Sequence, residues 1–309
     1  MSVLLILFLL SYFFLDLQIL TYSFVIGYNM RNITTYNVHK EGEFNMAFEE
    51  FELCIKSKPN LTIWRYMSLD KFESLLLNKA LFFCRADRFA DPYEGSLPKR
   101  VAEYRIIEHE RNSICTNHKF NPQKAQKGLE ILSNCHRHKK KQRIVNCWHI
   151  NNSENDSMWR LYLKSNEGVA IKTTVHKLLK SFSNTPEKIY CSKVRYLDYE
   201  NDTWYDKTEY PYISYNMFIP IVHKKVEFKQ EAEIRLINEI ETDDLDKFWK
   251  RQPNQKGKNI NVEVENLIDT VYSSPTSDKY QIKKIREIVS KYNFDFNIEK
   301  SELSNEPYY

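Results

Sequence analysis

Glycine is scarce in this chain, 6 of 309 residues. Backbones that cradle phosphate use glycine for tight turns and close approach, and neither a GxGxxG fingerprint nor a phosphate-loop pattern is present. That argues against a glycine-cradled nucleotide site. Paired cysteine spacing is missing too. Cys54, Cys84, Cys115, Cys135, Cys147 and Cys191 are scattered, several in apolar runs such as LFFC and IVNCW. This is the pattern of reduced, buried cysteines in a cytosolic protein, not of a disulfide framework. A surplus of one charge is also lacking: 45 Lys and Arg against 41 Asp and Glu leave +4, too little to call for nucleic acid by itself. There is no internal repeat and no low-complexity tract.

Aromatics are plentiful, with 20 Tyr and 18 Phe, and 42% hydrophobic against 28% charged residues describes a globular chain with ample core. Val3 to Leu15 is almost wholly apolar, and the run continues less purely to Tyr28. Residues 1–28 therefore have about the length of a membrane anchor. No Lys or Arg precedes the run and no small-residue cleavage site follows it, so it does not read as a cleaved signal peptide. The other reading is a start placed too early, with Met30 and Met46 as later starts. The expected organisation is an apolar segment over 1–30, a polar lead-in over 31–60 with a short helix in NMAFEEFELCIKS, a domain over 61–303 and a tail over 304–309.

Within the domain, LTIWRYM predicts a strand, and Ser68 is placed to cap a helix through LDKFESLLLNK, with Leu69, Phe72, Leu75 and Leu76 on one face. ALFFC follows as a buried strand, and RADRFADPYEG is a turn marked by Asp-Pro and Glu-Gly. A helix is expected over Lys99 to Arg111, then a polar, basic region to Arg143 whose run HRHKKKQR reads as a solvated loop. Strands IVNCWHI, EGVAIKTT and KIYCSKVRYLDY alternate with helices in NNSENDSMWRLYLKS and VHKLLKSF. After an aromatic connection and a helix into Lys225, Lys224 to Asn238 (KKVEFKQEAEIRLIN) is a strand with Glu231, Glu233 and Arg235 on one face and Ala232, Ile234 and Leu236 on the other. Helix SDKYQIKKIREIVSKY and strand FDFNIEK close the domain. The irregular mixture predicts an α+β fold, a single domain with a mixed or antiparallel sheet and packed helices.

Two carboxylates on a strand facing a cleft suit acid/base work or a developing positive charge, while the plainer reading is an exposed Glu231–Arg235 pair. Arg65 beside Trp64 and Tyr66 is either a clamp for a phosphate or ring or a strand-edge ion pair with Asp91 or Glu94. Trp148 reads as core; Trp159 and Tyr162, three apart on a helix, read as core or as a pocket wall. Cys115, His118, Cys135, His136, His138, Cys147 and His149 are crowded enough to raise zinc, but Cys147 and His149 are expected on opposite faces of their strand, and no metal site is assigned.

The ordered set WRYMSLDKFESLLLNKALFFCRADRFADPYEG, NCWHI, SMWRLYLKSNEGVAIKTT, VRYLDY, FKQEAEIRLI and VYSSP resembles the bacterial family known as domain of unknown function 2971, from about Leu61 to Leu303. The arrangement also looks, more distantly, like an ADP-ribosyltransferase. That resemblance implies NAD as substrate, held by Arg65 and Tyr66, with Trp159 or Tyr162 stacking on nicotinamide and Glu233, with Glu231 two before it, as the catalytic pair. It further implies an acceptor, protein or nucleic acid, and a role as a toxin or phage-defence effector. It departs from that fold in lacking a Ser-Thr-Ser middle strand. The competing classes are a non-enzymatic module binding a nucleotide or nucleic-acid end, helped by the basic run, and a nuclease using Asp91, Glu94 and Glu231 around a divalent ion. Cytoplasmic location is expected, or membrane anchoring through the apolar segment.

Overall fold

A computed structural model describes residues 48–49, 58–104, 121–163, 167–204, 218–240 and 255–305. These belong to one compact unit, residues 44–49 and 53–309, and a second unit, 1–43 and 50–52, lies outside the described residues. The apolar segment, most of the lead-in, Cys54, Cys115 and His118 therefore fall outside them as well. No helix among the described residues is long and apolar enough to cross a membrane.

Phe48–Glu49 forms a short strand, β1, where a helix was expected. Alternating β-branched and aromatic residues make β2 (Thr62–Ser68), and helix α1 (Leu69–Asn78) follows, burying Leu69, Phe72, Leu75 and Leu76 as their spacing predicts. Ser68 occupies the N-cap position but its side chain makes no capping bond. Strand β3 (Ala80–Arg85) comes next. The basic stretch is not a loop: Pro122–Gln142 is helix α2, with Lys139, Lys140 and Lys141 in its last turn. Lys, Gln, Glu and Leu side chains, none of them branched at Cβ, lose little freedom in a helix, and this outweighed the charge.

The chain continues through β4 (Arg143–Ile150), α3 (Asp156–Tyr162), β5 (Gly168–Thr174) and α4 (Val175–Lys180). Asn155 caps α3 by accepting from the Met158 amide, and Thr174 caps α4 by accepting from Lys177. The expected strand KIYCSKVRYLDY is broken into β6 (Ile189–Lys193) and β7 (Arg195–Leu197). Before Lys225 there is a 3-10 turn, Ile219–Ile221, and strand β8 (His223–Lys225) in place of the expected helix. Strand β9 (Glu233–Glu239), β10 (Gly257–Asn261), α5 (Val264–Leu267), β11 (Thr270–Ser273), α6 (Lys279–Lys291) and β12 (Asn297–Lys300) complete the domain. Asp278 and Gln281 form a reciprocal capping box on α6.

The fold is α+β with a mixed sheet ordered β1-β6-β9-β4-β2-β5-β11-β12. Pairings β1–β6 and β11–β12 are parallel, whereas β9–β4, β4–β2 and β2–β5 are antiparallel. Helices α1, α4, α5 and α6 cover one face, where Ile63, Ile144, Trp148, Ile171, Ile234, Leu236 and Val271 form the main core. A buried side chain of this size contributes roughly 1.5–3 kcal/mol, so this layer dominates stability.

The sheet forks in the middle. Strand β4 pairs with β2 at Ile150 and His149, then changes partner and pairs with β3 at Val145 and Ile144. Arg65 fills the fork: its Nη1 donates to the Cys147 carbonyl at 2.7 Å and to Asn146 Oδ1 at 2.9 Å, and the guanidinium lies 5.7 Å from the Trp148 ring.

Candidate functional site

The face of the sheet opposite the main core carries the chemistry-bearing residues. Alternation puts Trp64 and Tyr66 of β2, Cys147 and His149 of β4, and Glu233 and Arg235 of β9 on it. Cys147 and His149, two apart in a strand, thus share a face, contrary to the expectation from sequence. The described cysteines Cys84, Cys135, Cys147 and Cys191 form no disulfide and are half-buried rather than buried.

Lys224–Asn238 is not one strand. Val226–Glu231 is a 3-10 turn ending at Ala232, whose φ of 40° is left-handed, and only then does β9 begin. Glu233 and Arg235 share the strand face, and Glu231 arrives beside them from the turn. Two hydrogen bonds pin this corner to the end of β4: the Ile150 amide donates to the Ala232 carbonyl at 2.8 Å, and His149 Nδ1 lies 2.7 Å from the Glu231 carbonyl.

The charges at this corner are buried. Arg235 is 0% exposed and Glu94 1%. Arg235 donates through Nε to Glu233 Oε2 at 2.8 Å, through Nη2 to Glu233 Oε1 at 3.1 Å and Glu94 Oε2 at 3.2 Å, and through Nη1 to Glu94 Oε1 and to the Ile221 carbonyl. Lys224 Nζ donates to Glu231 Oε2 at 2.8 Å and Glu233 Oε1 at 2.9 Å, and Glu94 lies 4.0 Å away. The DPYEG turn is therefore more than a chain reversal. Gly95, at φ 68°, supplies the left-handed residue, and Glu94 beside it turns inward to Arg235, not to Arg65.

Three carboxylates meet two cations here, so ionising all of them leaves one excess negative charge. Burial pushes Glu233 up, but Arg235 and then Lys224 hold it well below the usual carboxylate range. Glu231 goes the other way. Burial raises it to about 7, and the neighbouring Glu233 adds to the rise against the pull of Lys224. One carboxylate is a fixed anion and its neighbour titrates near neutrality.

The other expected site residues lie beside this corner. Tyr66 is 4% exposed, accepts from the Asn155 amide at 2.9 Å and meets Trp159 edge-on at 4.9 Å. Trp159 is itself 3% exposed, and its Nε1 donates to Glu154 at 2.9 Å, so it is packed into a cluster with Trp64, Met158, Ala170 and Tyr272. Tyr162, one turn on, keeps 42% of its surface open. Burial raises its pKa, and the charges of Cys147, Glu233 and Glu231 raise it further against the pull of Arg65. Arg65, on the opposite face of β2 from Tyr66, is held in the fork.

Sequence reasoning missed Lys224 and gave Glu94 a turn role, a possible ion pair with Arg65 or a place among possible metal ligands, but not its pairing with Arg235. Their signal was slight: a lysine and a glutamate within aromatic and apolar neighbours. Glu94 and Glu231, weighed with Asp91 as ligands of a divalent ion, are engaged by Arg235 and Lys224, and no group of three His, Cys, Asp or Glu among the described residues is arranged to hold a metal ion.

Residues 158–236, from α3 into β9, match the model of a family described as "Protein of unknown function (DUF2971)". The resemblance to that family thus holds over the stretch that contains Trp159, Tyr162, Glu231, Glu233 and Arg235. Among solved structures, a chain titled "Thermus sp. 2.9 DarT in complex with carba-NAD+" is similar at 6% identity and a TM-score of 0.34, over 80% of this chain and 98% of that one. No curated protein sequence matches the chain.

Proposed function

We propose that the chain breaks the nicotinamide–ribose bond of NAD and passes ADP-ribose to an acceptor nucleophile. The observation that supports it is the split between two buried carboxylates that share Lys224, Glu233 a fixed anion and Glu231 near 7. Breaking the C–N bond sends its electron pair to the nicotinamide nitrogen and leaves positive charge on the ribose. An anion held by Arg235 and Lys224 needs no reorganisation to stabilise that charge as it develops. The acceptor oxygen or nitrogen then bonds to the ribose carbon and gives its proton to Glu231, whose affinity for protons is matched to neutral pH. Tyr162, 42% exposed, offers the aromatic face for nicotinamide, whereas Tyr66 and Trp159 are buried against each other. The acceptor is a protein or nucleic acid, in keeping with a toxin or phage-defence effector.

Nicotinamide release by the full chain, with cell lysate as the source of acceptors, tests this. Wild type should release nicotinamide, and Glu231→Gln should slow it by about 100-fold or more, the scale of losing a general base. A folded wild type that releases none removes the transferase reading and leaves a binding module.

A further inference from the structure

We propose that His149 is a ligand-binding residue of this site, its Nε2 accepting a hydrogen bond from a hydroxyl or an amide N–H of the bound dinucleotide. The inference rests on the NAD reading above and assigns a contact that reading does not contain.

His149 is 3% exposed and penultimate in β4, where that strand pairs with β2, and it faces the same side as Glu233. Its Nδ1 lies 2.7 Å from the Glu231 carbonyl oxygen, which can only accept, so Nδ1 carries the proton. In the neutral ring Nε2 is then a bare lone pair, able to accept and unable to donate. Burial lowers the pKa of this histidine, which keeps the ring neutral at pH 7. Nε2 is buried and has no hydrogen-bond partner.

Buried polar atoms are nearly always paired, and an exception asks for a reason. A structural tether would need only the Nδ1 bond, which a smaller amide could make. The imidazole adds a second nitrogen, aimed away from Glu231, beside the Tyr66 ring at a centroid distance of 6.3 Å. It therefore stands between the aromatic side of the site and the carboxylates. A dinucleotide lying across that junction brings its donors to Nε2, whether the hydroxyls of the nicotinamide ribose or the carboxamide N–H. A donor arriving there displaces no bond within the protein and gives up only its own bond to water.

The test is calorimetric titration of the full chain with NAD, for wild type, His149→Asn and His149→Gln, with thermal melts alongside. Asparagine keeps a donor for the Glu231 carbonyl and removes the acceptor, whereas glutamine places a carbonyl oxygen near the Nε2 position. H149N should bind NAD about tenfold more weakly, and H149Q within about threefold of wild type. Two analogues identify the donor: nicotinic acid adenine dinucleotide lacks the amide N–H, and NAD deoxygenated on the nicotinamide ribose lacks a hydroxyl. The analogue missing the relevant donor should lose affinity for wild type and lose nothing further in H149N. If H149N melts below the assay temperature, the cycle is run with His149→Ser. NAD binding equal in wild type and H149N, or both analogue losses unchanged by the variant, overturns the proposal. A wild type that binds no NAD refutes the NAD reading itself, and this inference with it.

Discussion

Replacing Arg235 with methionine keeps much of the side-chain volume and removes the charge. At 0% exposure no water can take the place of the guanidinium, and five hydrogen bonds are lost: two to Glu233, two to Glu94 and one to the Ile221 carbonyl. Glu233 keeps Lys224 at 2.9 Å, but Glu94 keeps only the same ammonium at 4.0 Å. Removing one partner of a buried ion pair costs about 3–5 kcal/mol, since the survivor is left as an uncompensated charge. With Glu94 the more exposed to that loss, a cost of about 4 kcal/mol is expected. In a domain of this size that lowers the melting temperature by roughly 10 °C. Chemical and thermal unfolding of the full chain measure it. Adding Glu94→Gln to Arg235→Met should return about 1–2 kcal/mol, because the stranded carboxylate becomes neutral, although the same glutamate change alone destabilises. A loss below about 1 kcal/mol in the single variant, or simple additivity in the double, refutes the account of the buried cluster.

Glu231 links stability to pH. Its pKa in the fold, about 7, lies above the ordinary 4.5, so the folded chain holds a proton that the unfolded chain has released. Its contribution is full below about 4.5 and is lost as pH rises through 7. Glu231→Gln cannot lose that proton, so its melting temperature relative to wild type should rise between pH 5 and pH 8.5. A constant difference across that range sinks the assignment of the raised pKa. Gly257 faces the β3 backbone so closely that an added Cβ would sit 2.1 Å from the Phe83 carbonyl oxygen. Gly257→Ala should therefore cost about 2 kcal/mol by urea unfolding, as overpacking does, and a neutral substitution would show that β10 moves freely against β3.

Much of the sheet was legible in the sequence. WRYM, NCWHI and GVAIKTT announce themselves by β-branched and aromatic content, and Leu69, Phe72, Leu75 and Leu76 by helical spacing. These signals are local, and the structure honours them. The corner at Glu231 was hidden because Ala232 is left-handed without the glycine that usually marks such a residue, a conformation costing about 1–2 kcal/mol for a side-chain-bearing residue. The surrounding bonds hold it, and nothing in the local pattern shows them. Glu94 and Arg235 are 141 positions apart, so their pairing depends on the tertiary fold. The helix Pro122–Gln142 was obscured by reading charge as solvation, although its composition favours a helix.

The fork at β4 divides the sheet into two leaves. One holds β2, β5, β11 and β12, the other β1, β3, β4, β6, β9 and β10, and among the described residues their backbone ladders meet at Ile63–Ile150 and Trp64–His149. Two residue pairs make a short seam beside the long ladders on either side, and Arg65 bridges it by its bonds to Asn146 and the Cys147 carbonyl. Tyr66 rides on one leaf and Glu233 on the other, and His149 stands at the seam. The spacing of aromatic ring and carboxylate is thus fixed where the two leaves join, over a core that both of them share.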